Sequence, residues 1–275
     1  MKATPGQKRG ETSIRPAAVA GRFYPASAHA LDRMVDEFLS EAKPGKSRTP
    51  KAIIAPHAGY IFSGPIAGSS FRPWLEEAGK IRRVVLIGPS HYVYFDGLAL
   101  PSATKFATPF GEVGVDLDAV KRLRELPQVK VFDPAHEQEH CLEVELPFLQ
   151  RTLDDFQIVP LVVGEASDDE IREVIELLWG GPETRIVISS DLSHFHGYEA
   201  ARRLDRTTAD NIETGHREKL TGSHACGYRP IRGFLRAAEA RGLCAETTDL
   251  RNSGDTAGPR DRVVGYGAFL FGGKS

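Results

Sequence analysis

The sequence has few cysteines, no long apolar run and almost no net charge, and each shortage removes a class of protein. Cys141, Cys226 and Cys244 are an odd number of thiols and show no CxxC spacing. Disulfide frameworks and zinc fingers need paired, closely spaced cysteines, so a functional cysteine here acts singly, as a ligand or a nucleophile. The bland alternative is that all three are small buried hydrophobes. No apolar stretch approaches the ~20 residues of a membrane span. Met1 to Glu11 is polar and lacks the apolar core of a signal peptide, which points to a cytoplasmic protein. Lys+Arg 35 against Asp+Glu 37 gives a formal net charge of -2, so no global electrostatic case for nucleic acid or anionic membrane exists. Internal repeats and low-complexity tracts are absent.

What is present is an ordinary apolar share, 41%, arranged as alternating short strands and amphipathic helices. Residues 1–12 read as a disordered tail and 13–275 as one domain. Leu31, Met34, Val35, Phe38 and Leu39 fall at helical offsets behind a Ser27 cap. Strands are expected at 51–55, 83–87, 98–100, 129–132, 158–163, 185–188, 245–250 and 263–271. Helices are expected from the Pro65 turn to about Ala78, and at 116–126, 167–178, 198–214 and 229–241. Thr108 to Gly111 reads as a turn. The stretch from His136 to Pro147 leads into a helix that its proline should bend or break. The alternation implies an α/β fold: a single three-layer domain with a mixed, mostly parallel central sheet flanked by helices.

Three of the strands end in chemistry. Ala52-Ile53-Ile54 runs into Pro56-His57, Val84 to Ile87 into Gly88-Pro89-Ser90-His91, and Ile186 to Ile188 into Asp191 and His194. Carboxyl ends of parallel strands gather at one sheet edge, where ligands bind. His140 with Glu143, and Cys226, add further side chains of metal-ligand type. Imidazole with thiolate suits iron, copper or zinc better than magnesium or calcium. Any one of these histidines has a structural alternative, as a strand cap or a partner for a loop carbonyl. His29, His136, His216 and His224 sit in polar surroundings and are expected at the surface; His196 either supports the site or faces solvent.

Ala55-Pro56-His57-Ala58-Gly59-Tyr60 with Ser63-Gly64, Gly88-Pro89-Ser90-His91, Glu139-His140 with Leu146-Pro147-Phe148, Ser189 to His194, and Cys226-Gly227-Tyr228-Arg229-Pro230-Ile231 occur in this order. With Arg15 to Pro25 before them and Val264-Gly265-Tyr266-Gly267-Ala268 after, they resemble the Memo family (mediator of ErbB2-driven cell motility). Prokaryotic members of that family are labelled AmmeMemoRadiSam system protein B. The resemblance spans roughly residues 14 to 271. It implies a fold similar to class III extradiol dioxygenases, which carry mononuclear non-haem iron. Motif by motif, it implies His57 and His91 as metal ligands and Cys226 in place of the dioxygenase carboxylate. It further implies Asp191 and His194 as the polar, acid/base pair beside the metal. His140 and Glu143 match a further pocket motif, and Tyr60, Tyr92, Phe195 and Tyr228 are aromatic candidates for the pocket wall.

The resemblance therefore implies a metal-binding protein, Fe(II) foremost with Cu or Zn as alternatives, and a redox-related, dioxygenase-like role. A thiolate ligand is soft and itself oxidisable. Metal binding depresses the thiol pKa, so affinity should rise with pH. Non-catalytic iron or copper sequestration, a peptide- or partner-binding module, and metal-assisted hydrolysis are the competing readings. The family label links such proteins to AMMECR1-like and radical-SAM partners. No CxxxCxxC cluster motif is present here, so radical chemistry would belong to a partner.

Overall fold

A computed structural model describes residues 12–46 and 49–273, so the tail expected over 1–12 lies, apart from Thr12, outside the described residues. In chain order the strands are β1 (Ile14–Arg15), β2 (Ala52–Ala55), β3 (Arg83–Pro89), β4 (Leu98–Leu100), β5 (Lys105–Thr108) and β6 (Gly111–Val115). Then come β7 (Val129–Val131), β8 (Gln157–Val163), β9 (Thr184–Ser189), β10 (His194–His196), β11 (Cys244–Asn252) and β12 (Val263–Gly272). The α-helices are α1 (Ala28–Ser40), α2 (Tyr60–Phe71), α3 (Leu117–Leu123), α4 (Pro134–Glu137), α5 (Leu146–Thr152), α6 (Asp168–Leu178), α7 (Tyr198–Glu213) and α8 (Tyr228–Glu239).

One mixed sheet organises them in the order β1-β5-β6-β8-β3-β9-β2-β12-β10, with β11 paired to β12 and β4 bridging β7 and β8. Its centre, β8-β3-β9-β2, is parallel throughout. β12 closes that centre antiparallel to β2, and β11 extends it antiparallel to β12. Side chains alternate between the two sheet faces. Ile53, Ala55, Val84, Leu86 and Val187 pack with Leu31, Val35 and Leu39 of α1, Ala67 and Phe71 of α2 and Phe148 of α5. Ile54, Val85, Ile87, Ile186 and Ile188 pack with Ile171, Val174 and Ile175 of α6 and Ile231 and Phe234 of α8. Helices thus cover both faces, and the three-layer α/β domain expected from the alternation is what forms.

Local signals act as their chemistry dictates. Ser27 accepts the Ala30 N–H at the start of α1, and Ser167 with Glu170 forms a capping box on α6. Gly242 stops the chain after α8 at φ +63, a conformation that costs a glycine little.

Several stretches differ from expectation, among them His194–His196, which forms the short strand β10, and Arg72–Glu77, a 3-10 helix where the α-helix was expected to run on to about Ala78. The α2 helix begins at Tyr60, not at Pro65, and keeps Pro65 in its interior. Nine of its twelve residues are buried, so tertiary packing carries it past a missing N–H. The turn Thr108 to Gly111 is the tip of a β5–β6 hairpin. In β5 only every second residue is buried, which leaves too little apolar signal for a four-residue strand. The stretch from His136 to Pro147 divides into α4, a 3-10 turn Glu143–Glu145, and α5, with Pro147 in the first turn of α5, where a missing N–H costs nothing.

Candidate metal centre

The site is assembled where β2, β3 and β9 run out at the same edge. Ala55 pairs with Ser189, so the loops after β2 and β9 leave the sheet side by side. Two backbone N–H groups hold them together. Ser190 N–H donates to the Ala55 carbonyl at 2.8 Å, and His57 N–H to Asp191 Oδ1 at 2.8 Å. The turn before α8 is laid on this platform: Cys226 N–H donates to the Asp191 carbonyl at 3.3 Å and Gly227 N–H to Ser190 Oγ at 2.9 Å. A Cβ on residue 227 would stand 2.7 Å from Ser190 Cβ and 2.9 Å from the Ser189 carbonyl. Only glycine allows that approach, and it is what seats Cys226 over His57.

Both histidines are held through Nδ1. His57 Nδ1 lies 2.7 Å from Ser189 Oγ, while Nε2 faces Cys226 Sγ at 3.2 Å. His91 Nδ1 lies 2.8 Å from Glu139 Oε1, and His91 N–H donates to Glu139 Oε2 at 2.7 Å. One candidate ligand atom from each of His57, His91 and Cys226 lies within 4.8 Å of the others. Tying one imidazole nitrogen in a hydrogen bond, so that the other points inward, is how proteins present histidine to a metal.

Burial governs the protonation states. It pushes His57 well below the ordinary histidine range, helped by the neighbouring His91, His140 and His194. Burial also lowers His194 and brings His140 down to about 4. It pushes the Cys226 thiol up to about 12, with Asp191 adding to the effect, and raises Asp191 to about 7. For Glu139 burial acts upward, but the hydrogen bonds and charge of His91 prevail and hold it at about 2. His57 is therefore a neutral imidazole, and Cys226 a thiol that ionises only beside a cation. That donor set fits a borderline or soft metal ion and suits a proton poorly.

The structure brings His140, His194, Asp191 and Tyr92 to the same place. The His140 ring stacks on His91 at 4.6 Å and meets His57 edge-on at 5.4 Å. Tyr92, 54% exposed, sets its hydroxyl 3.5 Å from His140 Nδ1. His194 is half-buried on β10 beside the exposed Phe195, which holds a left-handed backbone at φ +64. His91, Glu139 and His140 form a second group of ligand atoms within 4.8 Å. A cleft of about 410 Å³ opens beside the trio, walled by His91, Tyr92, Tyr94, Cys226, Tyr228 and Arg229, the last paired with Glu165.

Other candidates go elsewhere. Glu143 is fully buried and takes Arg15 Nη1 at 2.6 Å, the Ala18 and Val19 N–H groups, and the Tyr24 hydroxyl at 2.6 Å. All its lone pairs anchor the N-terminal segment. Tyr60 is a core residue whose hydroxyl donates to the Val144 carbonyl at 2.6 Å. His136, expected at the surface, is buried, with Nε2 3.0 Å from the Ala99 carbonyl; flanking Asp133 and Glu137 made its surroundings look wetter than they are. His29, His196 and His216 are exposed, and His224 is half-buried. Three site residues had no role assigned from sequence: Glu139, Ser189 and Glu145. Glu139 and Ser189 adjoin motif residues and a strand end, which is a usable signal. Glu145 carries none.

Comparison with known proteins follows the same line. A family model described as Memo-like protein matches residues 15–270. A MEMO1 family protein of Archaeoglobus fulgidus is 36% identical over 272 residues, covering 94% of this chain and 99% of that one. Another, from Aquifex aeolicus, is 35% identical over 270 residues, covering 94% and 99%. An uncharacterized Escherichia coli K12 protein of known crystal structure aligns at TM-score 0.49 and 13% identity, over 80% of this chain and 99% of that one. Matched along nearly its whole length by both the family model and these relatives, the chain belongs to the Memo family.

Proposed function

We propose that this protein holds a single redox-active metal ion, Fe(II) foremost or Cu, on His57, His91 and Cys226. One observation carries the reading: two imidazoles, each with Nδ1 engaged, and a thiol set their donor atoms within 4.8 Å at the convergence of three strand ends. A bound ion would supply a Lewis-acidic, redox-active centre. The protein's own contribution is to orient the ligands and to keep Asp191 and His194 beside them as proton-handling groups. Asp191, raised to about 7 by burial, is poised near neutral pH to exchange a proton, and His194 is held neutral to accept one. The adjoining cleft gives a small substrate room to reach the Cys226 side. A dioxygenase-like oxidation is the activity this arrangement favours, in a cytoplasmic setting with AMMECR1-like and radical-SAM proteins as partners.

A second reading, iron or copper sequestration without turnover, is favoured by Cys226 itself, because a thiolate beside activated oxygen is at risk of oxidation. Anaerobic Fe(II) titration followed by oxygen uptake with catechols separates the two. Both expect one ion per chain, lost in Cys226→Ala and His57→Ala. Only the first expects substrate-dependent oxygen uptake, diminished about 100-fold in His194→Ala. Absence of Fe(II) and Cu(I) binding sinks both.

A further inference from the structure

Behind His57, on the side away from Cys226, runs a chain of polar groups that metal holding leaves unexplained. Ser189 Oγ lies 2.7 Å from His57 Nδ1, 2.7 Å from the Cys141 carbonyl oxygen and 2.8 Å from Glu145 Oε1. Glu145 is 0% exposed, and its Oε2 has no hydrogen-bond partner among the described residues. The neighbouring Tyr60 hydroxyl is spent on the Val144 carbonyl. A carboxyl group with no cation and half its acceptors idle is costly to bury as an anion.

Counting protons settles which form fits. A serine hydroxyl has one proton and two lone pairs. The Cys141 carbonyl can only accept, so it takes the Ser189 proton. Both other neighbours must then donate into the Ser189 lone pairs. His57 donates from Nδ1–H, and Glu145 can donate only as the neutral acid. Burial pushes the Glu145 carboxyl well above the usual carboxylate range, against the pull of its Ser189 hydrogen bond and with Asp191 adding to the rise.

We propose that Glu145 is a positioning residue held as the neutral acid: with Ser189 it locks His57 as the Nδ1–H tautomer, Nε2 open toward Cys226. The two site histidines are then oriented by opposite means. His91 is held by an ionised carboxylate, which also strengthens its donor nitrogen, whereas His57 is held by an uncharged relay that orients it without adding negative charge. The consequence for metal binding rests on the metal-centre reading; the tautomer does not.

The test uses the full-length chain with ¹⁵N-labelled histidine, free of metal, followed by Co(II) titration. The wild type should show His57 protonated at Nδ1. Glu145→Gln should keep that signature, because the amide still donates to Ser189. Ser189→Ala should mix the tautomers and weaken Co(II) binding about 10- to 100-fold, while Glu145→Gln stays within about twofold of wild type. An Nε2–H tautomer in the wild type overturns the proposal, and so does a Glu145→Gln protein that loses the Nδ1–H signature. Should Ser189→Ala fail to fold, those two spectra decide alone. A wild type that shows the Nδ1–H tautomer yet binds no Co(II) sinks the metal centre and leaves the relay standing.

Discussion

At the scale of single residues, the strongest commitments in this protein lie outside the cleft. Glu143 and Arg15 form an ion pair with almost no solvent access, 0% and 6% for the two side chains, and Glu143 also serves two backbone N–H groups and the Tyr24 hydroxyl. Removing one partner of such a pair strands the other charge, at about 3–5 kcal/mol. Glu143→Ala should therefore lower the urea midpoint by far more than a surface substitution, with metal stoichiometry unchanged in the folded protein. A variant that unfolds like wild type would show the knot to be dispensable. His136 makes a pH-dependent contribution of known sign. Burial brings it from 6.5 to about 4, so below pH 6.5 the unfolded chain takes up a proton that the folded one refuses. Stability is full above 6.5 and falls as pH drops toward 4, by about 3 kcal/mol in all. Melting curves of wild type and His136→Gln between pH 7 and 4.5 should diverge in slope, the variant losing less.

Among the secondary-structure elements, α1 and α2 cross with no room to spare. A Cβ at Gly68 would stand 2.4 Å from the Phe38 carbonyl oxygen, and one at Gly64 2.1 Å from Phe38 Cε2. The first obstacle is backbone and the second a ring that can swing. Gly68→Ala should thus cost more than Gly64→Ala, with about 1–3 kcal/mol for overpacking as the scale. Thermal denaturation of the two variants checks the order, and the reverse order would refute the backbone argument. These elements also show what was legible in the sequence. Strand ends with His57, His91 and Asp191 were readable because a short β-branched run followed by Pro, Gly or Ser is a local pattern. α1 and α6 were readable because their caps and apolar offsets lie within one helix. The start of α2 was not, since only its burial, contributed by distant residues, overrides Pro65. Tyr60 and Glu143 sit close in sequence to site residues, and nothing local says that their side chains turn into the core. Glu145 is less legible still: its meaning depends on Ser189, 44 positions away.

For the molecule as a whole, the candidate site is where distant parts of the chain meet. His57 and Cys226 are 169 positions apart and come from the end of β2 and the entry to α8, with His91 from β3 between them. An ion bound to all three joins the parallel centre of the sheet to a helix of the covering layer, and only the folded chain presents the three donors together. Binding must then stabilise the fold by mass action: at a hundredfold excess over Kd the gain is about 2.7 kcal/mol, or roughly 5–10 °C for a chain near this size. Anaerobic Fe(II) or Co(II) should raise the melting temperature by that order. Mg²⁺, which prefers oxygen donors, should not, because the trio has none to offer. Cys226→Ala should remove the increment while leaving the metal-free melting temperature close to wild type, since the change keeps the Cβ and removes only a sulfur at a half-buried position. Equal stabilisation by Mg²⁺, or an increment that survives Cys226→Ala, would place the ion elsewhere and refute the clamp.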